Sequence, residues 1–218
     1  MATDSVVAVL TGDLIGSTQV EPAVVDQALS ALAEATLEAG QWTHADPRFT
    51  RFRGDGWQIL ISSEPKLALR IAVFLMARLR ARKTPIATRI AIGIGPIDSQ
   101  GTRDLSDAGG AAFVASGRAL DGMSRIKTVA VAGPETWVTN LHSGFVNLVE
   151  ATIRRWTPEQ AEAIAFYLHP DNPTLENIAA RLGITIQAVS YRIRGADGYE
   201  IRQALKSWED DAESRGMI

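Results

Sequence analysis

The stretch Arg51–Leu60, RFRGDGWQIL, sets one carboxylate, Asp55, between two glycines, with aromatic and charged residues before it and an apolar run after it. Glycine tolerates left-handed backbone and aspartate bonds to its own turn, so Gly54-Asp55-Gly56 predicts a sharp reversal. The flanking residues then read as the two strands of a β-hairpin.

The elements around the hairpin follow a regular order. Ahead of it, SVVAVLTGD (5–13) is an apolar run that reads as a buried strand. The segment from Val24 repeats apolar residues at Val25, Ala28, Leu29 and Leu32, and Gly40 is expected to end it as a helix. After the hairpin, Glu64–Lys83 carries Pro65 near its start, apolar Leu67, Ile71, Leu75 and Leu79, and a basic last turn, which predicts a second helix. TRIAIGIGPID (88–98) alternates isoleucine with small residues, as a strand packed closely on its glycine side would. A polar loop (99–109), a helix in 110–123, a strand in 127–133 and a short helix opened by proline in 134–142 complete the pattern. The expected fold is α+β, a βαββαβ, ferredoxin-like arrangement over residues 1–151.

A different unit is expected over 152–218. Thr157-Pro-Glu-Gln160 is a capping box with proline at the first helical position. Thr174 caps a short helix carrying Leu175, Ile178, Ala179 and Leu182; Gly183 turns the chain; and a second helix from Thr185 carries Ile186, Val189 and Ile193 on its expected buried side. Two short helices on a glycine turn predict a small all-α helix-turn-helix domain. Its second helix would expose Gln187, Ser190, Tyr191, Arg192 and Arg194: Gln and Arg to read base edges, Tyr and Ser for phosphates. Arg181, Arg154 and Arg155 are further candidates for phosphate contact. A packing or dimerisation unit is the alternative. The acidic WEDDAESRG tail (208–216) is expected to point away from a duplex.

Composition narrows the rest. The 218 residues contain no cysteine, which excludes disulfides and thiolate metal sites and suits a reducing cytoplasm. The first ten residues lack a basic n-region, which argues against a signal peptide, and no apolar run approaches membrane-spanning length. A net charge of -3 leaves any contact with nucleic acid to a local patch. His44, His142 and His169 show no metal-ligand spacing.

A second aspartate, Asp13, ends the first strand and is followed by Gly16, Ser17 and Thr18, whose backbone N–H groups at a helix start would suit phosphate. If that strand lies beside the hairpin, Asp13 and Asp55 converge, and two carboxylates facing a phosphate pocket suit Mg²⁺ or Mn²⁺. For either residue alone, a helix cap or a turn filler is the ordinary alternative.

GDLIGST (12–18), the RFRGDG hairpin and RIAIGIGPI (89–97) resemble the catalytic domain of class III nucleotidyl cyclases, and GAAFVASGRAL with TGDLIGS is similar to the cyclase-like SatD-type family of bacteria. The resemblance covers about Val6 to Val131. It implies metal aspartates at Asp13 and Asp55, purine-reading residues at Arg51 and Asp107, a transition-state arginine at Arg118, a nucleoside triphosphate ligand and a head-to-tail homodimer. Where that family has an asparagine four residues before the arginine, this chain has Val114. Valine donates no hydrogen bond, and losing one such donor typically costs ~3 kcal/mol of transition-state stabilisation. Two functions follow as expectations: a DNA-binding transcription regulator whose cyclase-like domain binds a nucleotide with metal or serves as a dimer scaffold, and an active cyclase with a regulatory C-terminal arm.

Overall fold

The computed structural model describes residues 6–45, 47–52, 54–102 and 104–217; Arg53 of the hairpin lies outside them. The chain is α+β, with one five-stranded mixed sheet and eight α-helices among the described residues. The strands are β1 (Val6–Ile15), β2 (Arg48–Phe52), β3 (Gly56–Ile61), β4 (Ala87–Pro96) and β5 (Val129–Ala132). The helices are α1 (Pro22–Thr43), α2 (Ala68–Ala81), α3 (Ala111–Asp121), α4 (Asn140–Ile153), α5 (Pro158–Tyr167), α6 (Leu175–Leu182), α7 (Ile186–Gly195) and α8 (Gly198–Ser214).

The sheet order is β2-β3-β1-β4-β5. The first four strands pair antiparallel and β5 joins β4 in parallel. Side chains alternate between the two faces of a strand. On one face Ala8, Leu10, Leu14, Trp57, Ile59, Ile90, Ile92 and Ile94 join the core beneath α1 and α2. On the other, Val7, Val9 and Leu60 pack with Ala112 of α3 and with Leu105. The glycines of β4 let α3 lie close: a Cβ on Gly93 would collide with the Ala112 carbonyl and stand 2.6 Å from the Ser116 backbone nitrogen.

Several boundaries differ from the sequence pattern. Helix α1 runs past Gly40 to Thr43, because Gly40 is a contact point rather than an end: Pro47 packs against it, 2.6 Å from where a Cβ would stand. Pro134 opens a turn instead of a helix, and the helix begins at Asn140 behind a capping box of Thr139 and His142. It then continues through residue 151 to Ile153, and the buried cluster is continuous from the sheet to α8. The acidic segment 208–216 includes the second half of α8, with Trp208, Glu209 and Ala212 buried.

Buried polar side chains join the two halves. Arg70 of α2 donates from Nε and Nη2 to the Glu209 carboxylate of α8, at 2.6 and 3.0 Å, and from Nη1 to the Leu168 carbonyl at 3.0 Å. Arg80 donates to the carbonyls of Ile153, Arg154 and Trp156, satisfying the open end of α4; burial lowers its pKa. His142 accepts the Thr139 N–H at Nδ1, so its Nε2–H donates to Asp211 of α8 at 2.9 Å. No helix among the described residues is long and apolar enough to cross a membrane.

Truncating one partner of a buried ion pair strands the other charge. Glu209→Ala is therefore expected to lower unfolding free energy by about 3 kcal/mol, measured by urea denaturation. The paired change Arg70→Met with Glu209→Leu should recover most of that loss. A Glu209→Ala chain as stable as the parent would show that the pair holds nothing.

Candidate functional site

Trp57 pins the end of β1, where Asp13 stands, against the neighbouring strands. Its indole lies across Gly12, where a Cβ would collide with the ring, and it is completely buried. The indole N–H donates to Thr88 Oγ1 at 3.1 Å, and that hydroxyl donates to the Asp13 carbonyl at 2.7 Å. Gly12 pairs with Trp57 on β3, and Asp13 pairs with Arg89 on β4. The end of β1 is thus held against the start of β3 and of β4, with Asp13 and Arg89 on the α3 side of the sheet.

Arg89 is the residue that sequence reasoning did not single out. Its Nε donates to Asp13 Oδ1 at 2.9 Å and its Nη2 donates to Oδ2, so one guanidinium holds both carboxylate oxygens. The bond to Asp13 raises the Arg89 pKa against the opposing effect of burial, and the charges of Asp13 and Asp55 raise it further. Asp55 is thus close enough for its charge to act on Arg89, and it accepts a bond from Ser17 Oγ. Ser17 thus bonds Asp55 while Asp13 is held by a cation that the chain itself supplies. The available signal was the lone arginine heading an otherwise apolar strand, in register with Asp13.

The phosphate cradle differs from expectation. Gly16 takes left-handed backbone with φ 86°, and residues 17–19 form a single 3₁₀ turn; α1 starts later, at Pro22. Ser17 and Thr18 therefore do not open a helix, and the dipole of α1 is not aimed from them. Beside Asp13 the same sheet face carries a directed polar chain. Gln58 Nε2 donates to Thr11 Oγ1 at 2.9 Å, Thr11 stands 2.8 Å from Ser116 Oγ, and Ser116 donates to the Phe113 carbonyl at 3.0 Å. Because Ser116 spends its proton on Phe113, the Thr11 hydroxyl must donate to Ser116.

The remaining cyclase-type positions are spread out. Arg51 pairs with Asp26 of α1 at 2.6 Å and donates to the Gly54 carbonyl, tying the hairpin turn to the helix. Asp107 accepts the Thr102 N–H at 2.9 Å, a bond that lowers its pKa, and it shapes the 99–109 loop that Arg48 also holds through the Gln100 and Thr102 carbonyls. Arg118 and Val114 are exposed on α3. Since Ala112 and Ser116 face the sheet, a 100° step per residue turns 114 and 118 to the outer side, away from the Asp13 of their own chain.

These residues do not fit a divalent ion. Arg89 occupies both oxygens of Asp13, and among the described residues no three His, Cys, Asp or Glu side chains gather as a metal site. A cleft of about 540 Å³ lies elsewhere, between the start of β4 and α5, lined by Arg80, Lys83, Thr84, Thr128, Arg154 and Trp156 among others.

In the C-terminal helices, Thr174 accepts the Asn177 N–H and Thr185 accepts the Ala188 N–H, as N-caps should. Gly183 takes φ 65° between them. Val189 and Ile193 are fully buried, while Gln187, Tyr191 and Arg194 are exposed and Ser190 is half-buried. Two residues depart from expectation. Ile186 is exposed, because it stands at the first position of α7 and the buried face runs on through Val189, Ile193 and Ala196. Arg192 turns inward to Glu162 of α5 at 2.9 Å, so it is committed to packing. Arg155 pairs with Asp197, Arg154 donates to the Ile126 carbonyl, and Arg181 lies over the Phe166 ring.

If the Asp13–Arg89 pair is a structural clasp, Asp13→Ala should cost about 2 kcal/mol, both side chains being roughly a quarter exposed. Asp55→Ala, which breaks one bond at a turn, should cost less than about 1 kcal/mol. Urea denaturation of both variants decides the matter; equal losses would overturn the distinction. No protein-family model matches the chain, and a search of characterised proteins returns no similar sequence.

Proposed function

We propose that the protein is a DNA-binding transcription regulator of the bacterial cytoplasm, in which α6 and α7 form a helix-turn-helix and the sheet domain serves as a dimer scaffold. The observation that carries this reading is the division of α7: Val189 and Ile193 are sealed inside while Gln187, Tyr191 and Arg194 face out behind a left-handed Gly183 turn. Gln187 in the first turn suits a base edge, and Arg194 in the last turn suits phosphate. Among the described residues Arg194 makes no ion pair, unlike Arg192 and Arg155.

The order β4-β1-β3-β2, antiparallel throughout, supports a ferredoxin-like βαββαβ core, the framework of the cyclase resemblance. Turnover is not supported. Arg89 neutralises Asp13 where a metal would be needed, Val114 replaces a donor, and Arg118 and Arg51 are turned outward or already paired. The scaffold role is therefore preferred over Mg²⁺-nucleotide binding, and cyclic product from ATP or GTP with Mg²⁺ or Mn²⁺ would overturn that preference.

Fluorescence anisotropy with labelled duplex DNA over a salt series tests the DNA reading. Affinity should fall steeply with salt. Arg194→Ala should weaken all sequences alike and reduce the salt slope by about one unit. Gln187→Ala should relax preference at one base position by about 1–3 kcal/mol. Absence of salt-dependent binding, or indifference to both substitutions, would make α7 a packing element.

A further inference from the structure

The outer face of α4 is unlike that of a helix facing water. Leu141 and Leu148 are 81% and 73% exposed, with Gly144 and Ala151 exposed between and beyond them. The spacing 141, 144, 148, 151 keeps all four on one stripe. Ile126, 76% exposed, extends the patch at the C-terminal end, where Arg154 donates to its carbonyl. Solvent-facing helix surfaces normally carry charge. Within Asn140–Ile153 the only charged residue is Glu150, and it is buried, with Oε1 accepting from the Thr128 N–H and hydroxyl. The exposed residues flanking the stripe are Asn140 and Asn147.

We propose that this face is the self-association surface of the protein, with α4 of one protomer packing antiparallel on α4 of a second copy about a two-fold axis at residue 146. The argument is the order of sizes along the stripe. Antiparallel pairing about 146 sets Leu141 opposite Ala151 of the second copy and Leu148 opposite its Gly144. Each large side chain then meets a small one, which is the condition for two identical helix surfaces to interlock. The face brings no like charges together across the axis. Parallel pairing would instead set leucine against leucine and leave the glycine and alanine over voids. A 14-residue helix is about 21 Å long, so the contact is small for a stable complex and the dimer forms in the micromolar rather than the nanomolar range. The surface is separate from α3, on which the cyclase resemblance would build a shared site, and it stands independently of the DNA reading.

Sedimentation velocity over a micromolar concentration series should show the full-length chain passing from monomer to dimer. Leu148→Glu, and independently Leu141→Glu, should shift the dissociation constant at least tenfold toward monomer while the far-UV spectrum and thermal midpoint stay unchanged, since both side chains are exposed. The chain has no cysteine, so single-cysteine variants report the pairing directly. Gly144→Cys mixed with Leu148→Cys should give an efficient mixed cross-link, and Leu148→Cys alone a poor one. A monomer at every concentration, a dimer indifferent to both glutamates, or a Leu148→Cys homodimer that cross-links better than the mixed pair would overturn the proposal.

Discussion

The indole of Trp57 lying on Gly12 governs the arrangement of everything at its end of the sheet. Only glycine leaves room for the ring, and the ring then ties three strands through Thr88 and the Asp13 carbonyl. Once β1, β3 and β4 are pinned there, the register sets Arg89 opposite Asp13 and brings the hairpin turn with Asp55 alongside. The polar chain from Gln58 to Ser116 runs on the same face as Asp13 and Arg89, the one that α3 covers. The ring seals the helix-covered side and leaves the α3 side to the charged groups.

That geometry makes the aspartates chemically quieter than their motif suggests. A carboxylate that accepts two bonds from one guanidinium has its charge compensated and its oxygens oriented. A metal would have to displace Arg89, leaving a cation beside the incoming one. The parts associated with nucleotide chemistry are present as residues but are used as joints: Arg51 between turn and helix, Asp107 within a loop, Asp13 between strands. The C-terminal helices keep polar side chains turned outward.

Reading the chain alone recovered what local rules determine. Capping at Thr157 and Thr174, the helix start at Thr185, the turn at Gly183 and the close packing at the β4 glycines all follow from one residue and its neighbours. Long-range partners were out of reach. Arg89 meets Asp13 across 76 residues of chain, and Arg70 meets Glu209 across 139; neither pairing is written in local periodicity. Within the acidic tail, Glu209 looks solvated until α2 supplies its partner. Arg192 and Ile186 show how a helical wheel places a face correctly but not its margins, where a neighbouring helix or a helix start decides. That β1 lies beside the hairpin was expected, while the arginine that β4 sets against Asp13 was not.

The joint made by Arg70, Glu209 and the Leu168 carbonyl has a further consequence. Ions in solution screen charges at the surface over about 10 Å at 0.1 M and reach enclosed pairs far less. This pair is enclosed by α2, α5 and α8. Rising ionic strength should therefore weaken exposed pairs such as Arg51 with Asp26 and Arg155 with Asp197 long before it loosens the seam between the two halves. A salt titration of the folded chain then reports on its outer charges alone, with the joint between the halves unchanged from the first addition to the last.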